Sequence, residues 1–172
     1  DRTFKLNECV CAPYIARGAA ADAAYGVGET ISITVTWDEA VVVSGTPTLT
    51  LSNAATATYS SGTGSTALVF TYTVAEGNTA SADLSVSSYA GTITDAAGGA
   101  AAAASGDLGS VTVDGDAPDL VSVAAGDGTY GLGDAVAITV TFDEAVTVSG
   151  SPTLTLSNGA AASVSYTHLT LP

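Results

Sequence analysis

Carboxylates are the side chains in this sequence that are numerous and clustered enough to do chemistry. There are 17 Asp and Glu residues against three Lys and Arg, for a net charge of −14. The bases are Arg2, Lys5 and Arg17, so nothing beyond Gly18 carries a fixed positive charge. A carboxylate there must face water, accept hydrogen bonds from backbone N–H groups, or bind a cation. Two groups stand out: Asp114 and Asp116 in DGDAP, followed directly by Asp119, and the dipeptide Asp143-Glu144. Asp38-Glu39 is the same dipeptide earlier in the chain, with Asp95 as a further acid. Calcium fits this ligand chemistry, since it takes six to eight oxygens in irregular geometry and accepts carboxylates together with backbone carbonyls. No strict ligand spacing of the EF-hand kind is present. The plain alternative is a solvated acidic surface, because Asp is common in turns for its own reasons.

Other chemistry finds little support. His168 is the only histidine, and no Ser–His–Asp or Cys–His set can be assembled around it. A carboxylate pair could serve a glycosidase, but Asp38 and Glu39 are adjacent and strand neighbours point apart. The expectation is therefore no enzyme. Cys9 and Cys11 are separated by one residue, which makes a mutual disulfide strained. Nucleic acid is a poor partner for a chain that lacks Lys and Arg to neutralise phosphate. Anionic membrane surfaces are disfavoured on the same ground, and no apolar run reaches the 18 residues of a spanning helix.

The elements that must hold these acids come from a repeat. Tyr25–Asn53 returns as Tyr130–Asn158, an offset of 105 residues without a gap, with 21 of 29 positions identical. A period of this length means tandem domains. Within it, Ile31, Ile33, Val35 and Trp37 alternate with Ser32, Thr34 and Thr36, the pattern of a half-buried strand, and Val136, Ile138, Val140 and Phe142 repeat it. Gly45 and Pro47 mark a turn before a second strand at 48–52. Further strands are expected at 56–60, 66–74, 83–88 (with 92–94 extending or following it) and 110–113, and 119–124 opens the second unit. The Ala- and Gly-rich stretch 95–106 is expected to be loop. About seven short strands with regular turns and no helical period give an all-β chain, an antiparallel β-sandwich of the immunoglobulin-like kind in tandem.

The domain boundaries follow. Residues 1–11 do not match the repeat and read as a junction or artefact. Residues 12–113 form the first sandwich, 114–118 an acidic linker, and 119–172 a partial second copy. The last seven residues, YTHLTLP, depart from the repeat and resemble a translated sequencing-adapter scar. The second copy lacks counterparts of the strands at 66–74, 83–88 and 110–113, and half a sandwich cannot cover its inner face. Threonine-rich strands such as TVT, TLTLS and FTYT place hydroxyls in rows. Such rows can bind polysaccharide or ice, and they are also the ordinary wet face of a sheet, since Thr favours strands.

Three segments, YGVGETISITVTWDEAVVVSGTPTLTLSN, YSSGTGSTALVFTYTV and GTITDAAGGA, resemble the bacterial immunoglobulin-like repeats of very long surface adhesins, the giant or RTX-type kind, over about residues 12–158. The resemblance implies an extracellular or cell-surface location, tandem domains often linked by calcium, and a role as stalk or adhesive arm. Its partners would be neighbouring repeats of the same chain and a cell-surface or glycan ligand. The first copy departs from the pattern where CVCAP stands in place of DGDAP. In immunoglobulin strand order the loop at Asp143-Glu144 returns to the end of the domain where the linker enters, so Asp114, Asp116, Asp119, Asp143 and Glu144 would converge on one joint. Asp114, Asp116, Asp143 and Glu144 are the preferred calcium ligands. Asp38, Glu39, Asp95 and Asp119 are weaker ones. Two roles compete: a non-catalytic extender stiffened by calcium, and a carbohydrate- or cell-binding module that uses loops or the Thr-rich face.

Overall fold

The computed structural model describes residues 12–102 and 105–164, so the expected junction at 1–11, residues 103–104, and 165–172 with the expected tail at 166–172 lie outside the described part. The described elements are all strands, and the chain divides into two units between Ala117 and Pro118. The first unit holds β1 (Ile15–Ala19), β2 (Ala23–Tyr25), β3 (Thr30–Leu51), β4 (Thr56–Ser61), β5 (Ser65–Thr73), β6 (Ser85–Thr94), β7 (Gly106–Asp107) and β8 (Val111–Val113). The second holds β9 (Leu120–Ala125), β10 (Ile138–Phe142), β11 (Thr153–Thr155) and β12 (Ala161–Ser163).

β3 organises the first unit. Its alternating pattern sends Ile31, Ile33, Val35 and Trp37 inward, none more than 2% exposed, while Thr30 and Ser32 face out. Its first half pairs with β1 on one edge and β5 on the other. Its second half pairs with β6 and β4, and β4 also pairs with β5. The same strand therefore takes part in the sheet twice. The order runs β1, first half of β3, β5, β4, second half of β3, β6, β7. The ends of that path meet where the Ala20 N–H donates to the Leu108 carbonyl at 3.0 Å. The sheet thus curls round one core, to which β5 adds Leu68, Phe70 and Tyr72 and β6 adds Val86 and Ile93. Trp37 meets Tyr89 edge to face, ring centroids 5.8 Å apart.

Two features differ from the sequence expectation, the passage of β3 through Gly45 and Pro47 and one parallel strand pair; the extension of a strand through 92–94 and the loop at 95–106 agree with it. Gly45 and Pro47 do not separate two strands: β3 continues through them to Leu51. Gly45 takes φ 75°, and the pairing with β6 slips between Ser44 and Thr48. Bulges of this kind add twist without ending a strand, which lets one strand serve both halves of the sheet. The stretch 92–94 belongs to one continuous β6, and the loop at 95–106 ends in the short β7. The sheets are antiparallel except for one pair, β2 with β8, which is parallel through Ala23, Ala24 and Tyr25 against Val111, Thr112 and Val113.

The two described strand pairings of the second unit repeat the register of their counterparts in the first. β9 pairs with β10 in the register of β1 with β3, including the slip before the aromatic: Leu120 opposes Phe142 as Ile15 opposes Trp37. β11 with β12 copies β3 with β4, Leu154 opposite Ala162 as Leu49 is opposite Ala57. The turn after Leu51 also recurs. Asn53 Oδ1 accepts the Ala55 N–H at 3.2 Å, and Asn158 Oδ1 accepts the Ala160 N–H at 3.0 Å. The residue between them is left-handed in both copies, Ala54 at φ 63° and Gly159 at φ 82°.

That pair defines a stability test. A Cβ in the left-handed region costs about 1–2 kcal/mol, part of which is offset by the greater unfolded-state freedom of glycine. Ala54→Gly is expected to stabilise the first unit by about 0.5–1 kcal/mol in urea unfolding. A loss of stability would mean that the turn does not hold Ala54 in this conformation.

Candidate functional site

In this acidic chain the carboxylates are largely used to tie down turns. Asp38 and Asp143 do the same work in the two units. Asp38 Oδ1 accepts the Tyr14 N–H at 2.8 Å, and its own N–H donates to the Tyr14 carbonyl at 3.1 Å. Asp143 Oδ1 accepts the Asp119 N–H at 2.8 Å, and its N–H donates to the Asp119 carbonyl at 3.1 Å. Each aspartate thus closes the pairing between the first strand of its unit and the long strand that follows. Glu29 and Asp134 form a second matched pair, accepting the N–H of Gly26 at 2.9 Å and of Gly131 at 2.6 Å.

Asp114 and Asp116 belong to the first unit. The Asp114 N–H donates to the Tyr25 carbonyl at 2.9 Å, continuing the β2–β8 pairing, and Asp114 Oδ1 accepts the Asp116 N–H at 3.2 Å. The Gly77 N–H donates to the Gly115 carbonyl at 2.9 Å, and Glu76 Oε2 accepts the Ala117 N–H at 3.1 Å. The linker from 114 to 117 is therefore bonded to the loop after β5. Gly115 is required there, because a Cβ would lie 2.0 Å from the Asn78 carbonyl oxygen. Asp119, Asp143 and Glu144 belong to the second unit, and Asp114, Asp116, Asp119, Asp143 and Glu144 are all exposed.

Asp95 is different. It is 6% exposed, and its Oδ1 accepts the N–H groups of Ala97 at 2.8 Å and Gly99 at 2.7 Å. Its backbone N–H donates to the Gly99 carbonyl at 2.9 Å. The DAAGG turn is built round this one carboxylate, and a Cβ at position 99 would come within 2.6 Å of Asp95 Oδ2. Asp38 is occupied with Tyr14 and Asp95 with its own turn, so the two do not share a partner. Glu39 is half-buried beside the exposed Asp38 in β3, at the register break between Thr36 and Val41.

Three further acids are used in the same way. Asp22 Oδ1 accepts the Ser110 N–H at 3.0 Å across 88 residues of chain, Asp107 Oδ1 accepts the Gly109 N–H at 3.0 Å, and Glu76 holds Ala117. An acid two residues before a glycine, as in Asp107-Leu108-Gly109, is a local signal of such a turn. The Asp22 contact has no local signal. One solvent-open depression of about 300 Å³ is lined by Asp83, Ser85, Val86, Ser105, Gly106 and Asp107. Among the described residues no three carboxylate, histidine or cysteine side chains are grouped closely enough to hold a metal ion. Tyr89 has its phenol pushed above the ordinary value by burial, and its hydroxyl donates to the Ala101 carbonyl, so the folded chain favours the neutral phenol.

Comparison with protein families, with curated proteins and with solved structures finds no match to this chain.

Asp95 gives the direct test of a carboxylate used as scaffold. Asp95→Ala leaves two part-buried N–H groups without an acceptor and is expected to cost about 2–4 kcal/mol by chemical denaturation. Asp95→Asn keeps an acceptor oxygen and should cost less than half as much. Equal losses from the two variants would show that charge, not the hydrogen-bond acceptor, is what the turn needs.

Proposed function

We propose that the chain carries tandem, non-catalytic immunoglobulin-like β-sandwich domains of a secreted bacterial surface adhesin, acting as an extender that holds a binding region away from the cell. The observation that carries this reading is the recurrence of the fold at the level of single hydrogen bonds. The clips at Asp38 and Asp143, the turns at Glu29 and Asp134, and the asparagine turns at Asn53 and Asn158 form with the same partners one repeat apart. Spacing is served by copying one unit, loops included. A dedicated binding domain more often lets its loops diverge faster than its strands. The linker fits the same role: it is bonded to the first unit up to Ala117, and Pro118 fixes its own φ and restricts the residue before it.

Calcium belongs to this proposal as the ion that stiffens the repeat array. Asp114, Asp116, Asp143 and Glu144 would hold it, with Asp38, Glu39, Asp95 and Asp119 as weaker ligands. The donor set suits the ion. Asp114 and Asp143 each give one carboxylate oxygen to a backbone N–H, so a second oxygen on each remains for a cation.

A second reading, a carbohydrate- or cell-binding module, is favoured by one specific feature. The outer face of β3 and β5 in the first unit carries a hydroxyl row, Thr30 and Ser32 beside Thr73 and Thr71, with the Thr30 and Thr73 hydroxyls 2.9 Å apart.

Two measurements separate these readings. Thermal unfolding of the 172-residue chain should move up when calcium replaces chelator, by the equivalent of about 2.7 kcal/mol at a hundredfold excess over the dissociation constant. Asp116→Asn combined with Glu144→Gln should remove that gain, and no shift in the parent chain would eliminate calcium from the proposal. On a glycan array the extender should give no selective signal. A specific, saturable hit lost with Thr30→Ala and Thr73→Ala would move the assignment to the binding module.

A further inference from the structure

The one parallel pair among the described strands joins the two ends of the first unit. Segment 20–25, which follows β1, and segment 108–114, which closes the unit, run side by side in a single register. The Ala20 N–H donates to the Leu108 carbonyl at 3.0 Å, and Asp22 Oδ1 accepts the Ser110 N–H at 3.0 Å. Ala23, Ala24 and Tyr25 then lie against Val111, Thr112 and Val113, and the Asp114 N–H donates to the Tyr25 carbonyl at 2.9 Å. β8 is also held on its other edge. Ser81 and Val113 exchange N–H···O bonds of 2.9 and 2.8 Å, and the Leu84 N–H donates to the Val111 carbonyl at 2.9 Å. Val111 and Val113 are part of the buried core. The Gly115 carbonyl and the Ala117 N–H then tie the departing chain to the loop after β5.

We infer that the pairing of 20–25 with 108–114 is a shear lock, through which the folded first unit withstands tension along the chain. In a parallel pair the N-terminal end of one strand and the C-terminal end of the other lie at opposite ends of the ladder. Tension enters 20–25 from its N-terminal side and leaves 108–114 by its C-terminal side. The two segments are therefore pulled along each other, and their hydrogen bonds are strained together. An antiparallel pair at the same place would take both pulls at one end and open bond by bond. A single hydrogen bond is weak, so the number that must break in one event decides the resistance. β1 lies ahead of the lock. When its bonds to β3 part, the load passes to Ala20 and the parallel register must still be sheared as a whole. Loss of the lock draws Val111 and Val113 out of the core, so it sets the rate of forced unfolding. The use of such a lock rests on the extender role proposed above, since a spacer is pulled through its ends.

The test pulls the full 172-residue chain in a single-molecule force experiment through pairs of cysteine handles. Cys9→Ser and Cys11→Ser leave the introduced cysteines as the attachment points. Ala21, Val27 and Ala117 are exposed and outside the core, so Ala21→Cys, Val27→Cys and Ala117→Cys carry the handles. Pulling between 21 and 117 shears the lock without loading β1. Pulling between 27 and 117 takes the same pair from the end where both segments finish, and peels it. The rupture force of the first unit should be at least about twofold higher between 21 and 117 than between 27 and 117. Pulling between the native Cys9, with Cys11→Ser, and 117 should need no less force than between 21 and 117. A smaller ratio between the first two directions overturns the inference. So does a lower force from Cys9, which would show the unit failing before tension reaches the lock. Neither failure alters the extender assignment, which the glycan array decides. A selective glycan hit would change that role and leave the force ratio as it is.

Discussion

The apolar side of β3 has to be covered along its whole length, and the rest of the first unit is arranged to do so. One 22-residue strand serves two successive pairings, and its register breaks supply the twist that the change of partner needs. β5 and β1 flank one half, β6 and β4 the other, and the curled sheet brings Ile31, Val35, Leu49 and Leu51 into a single core with Leu68 and Phe70. Because apolar area removed from water is the main favourable term in folding, this shared strand couples both halves of the unit. Neither can be loosened without exposing the other's core.

The second constraint is electrostatic. A chain with 17 acids and three bases has little to gain from ion pairs, so its acids are used as hydrogen-bond acceptors instead. Carboxylates bind backbone N–H groups more strongly than neutral acceptors do. They are placed where the chain changes direction: Asp38 and Asp143 at the first strand pairing, Glu29 and Asp134 before the long strand, Asp95 in the DAAGG turn, Asp22 across to Ser110. Acidity here is bound up with the architecture. It also means that an acid in a loop of this chain has a structural duty before any ligand is considered.

Much of the architecture was legible because it is written with period two. Ile31 through Trp37 and Leu68 through Tyr72 announce their inward faces by alternation alone, and the 105-residue repeat announces the two units. What stayed hidden depends on distant partners. Gly45 and Pro47 look like the end of a strand, and only the presence of β6 alongside lets the strand pass through them. The parallel pairing of Ala23–Tyr25 with Val111–Val113 joins two segments with no common local signal. The acids were legible as a group and not one by one. Charge counting shows that they lack basic partners, whereas the backbone N–H each one meets is fixed by the fold, as with Asp22 and Ser110.

Comparing the two copies position by position weighs the competing roles. Features that the fold requires should persist in both, and so should features that a shared ligand requires. The carboxylate clips persist: Asp38 is matched by Asp143, and Glu29 by the shorter Asp134, which still reaches the same N–H. The hydroxyl row does not. Thr30 and Ser32 are matched by Ala135 and Ala137, so the second copy lacks the two hydroxyls that begin the row in the first. Alanine is a poorer strand former than threonine, so β propensity alone gives no reason for the exchange. A surface that read glycan through those hydroxyls would be lost in one copy of a nearly identical pair. A surface that only needs to be wet is indifferent to the change. The pattern of what is kept, turn-forming acids over outward hydroxyls, therefore favours a repeat selected for its shape.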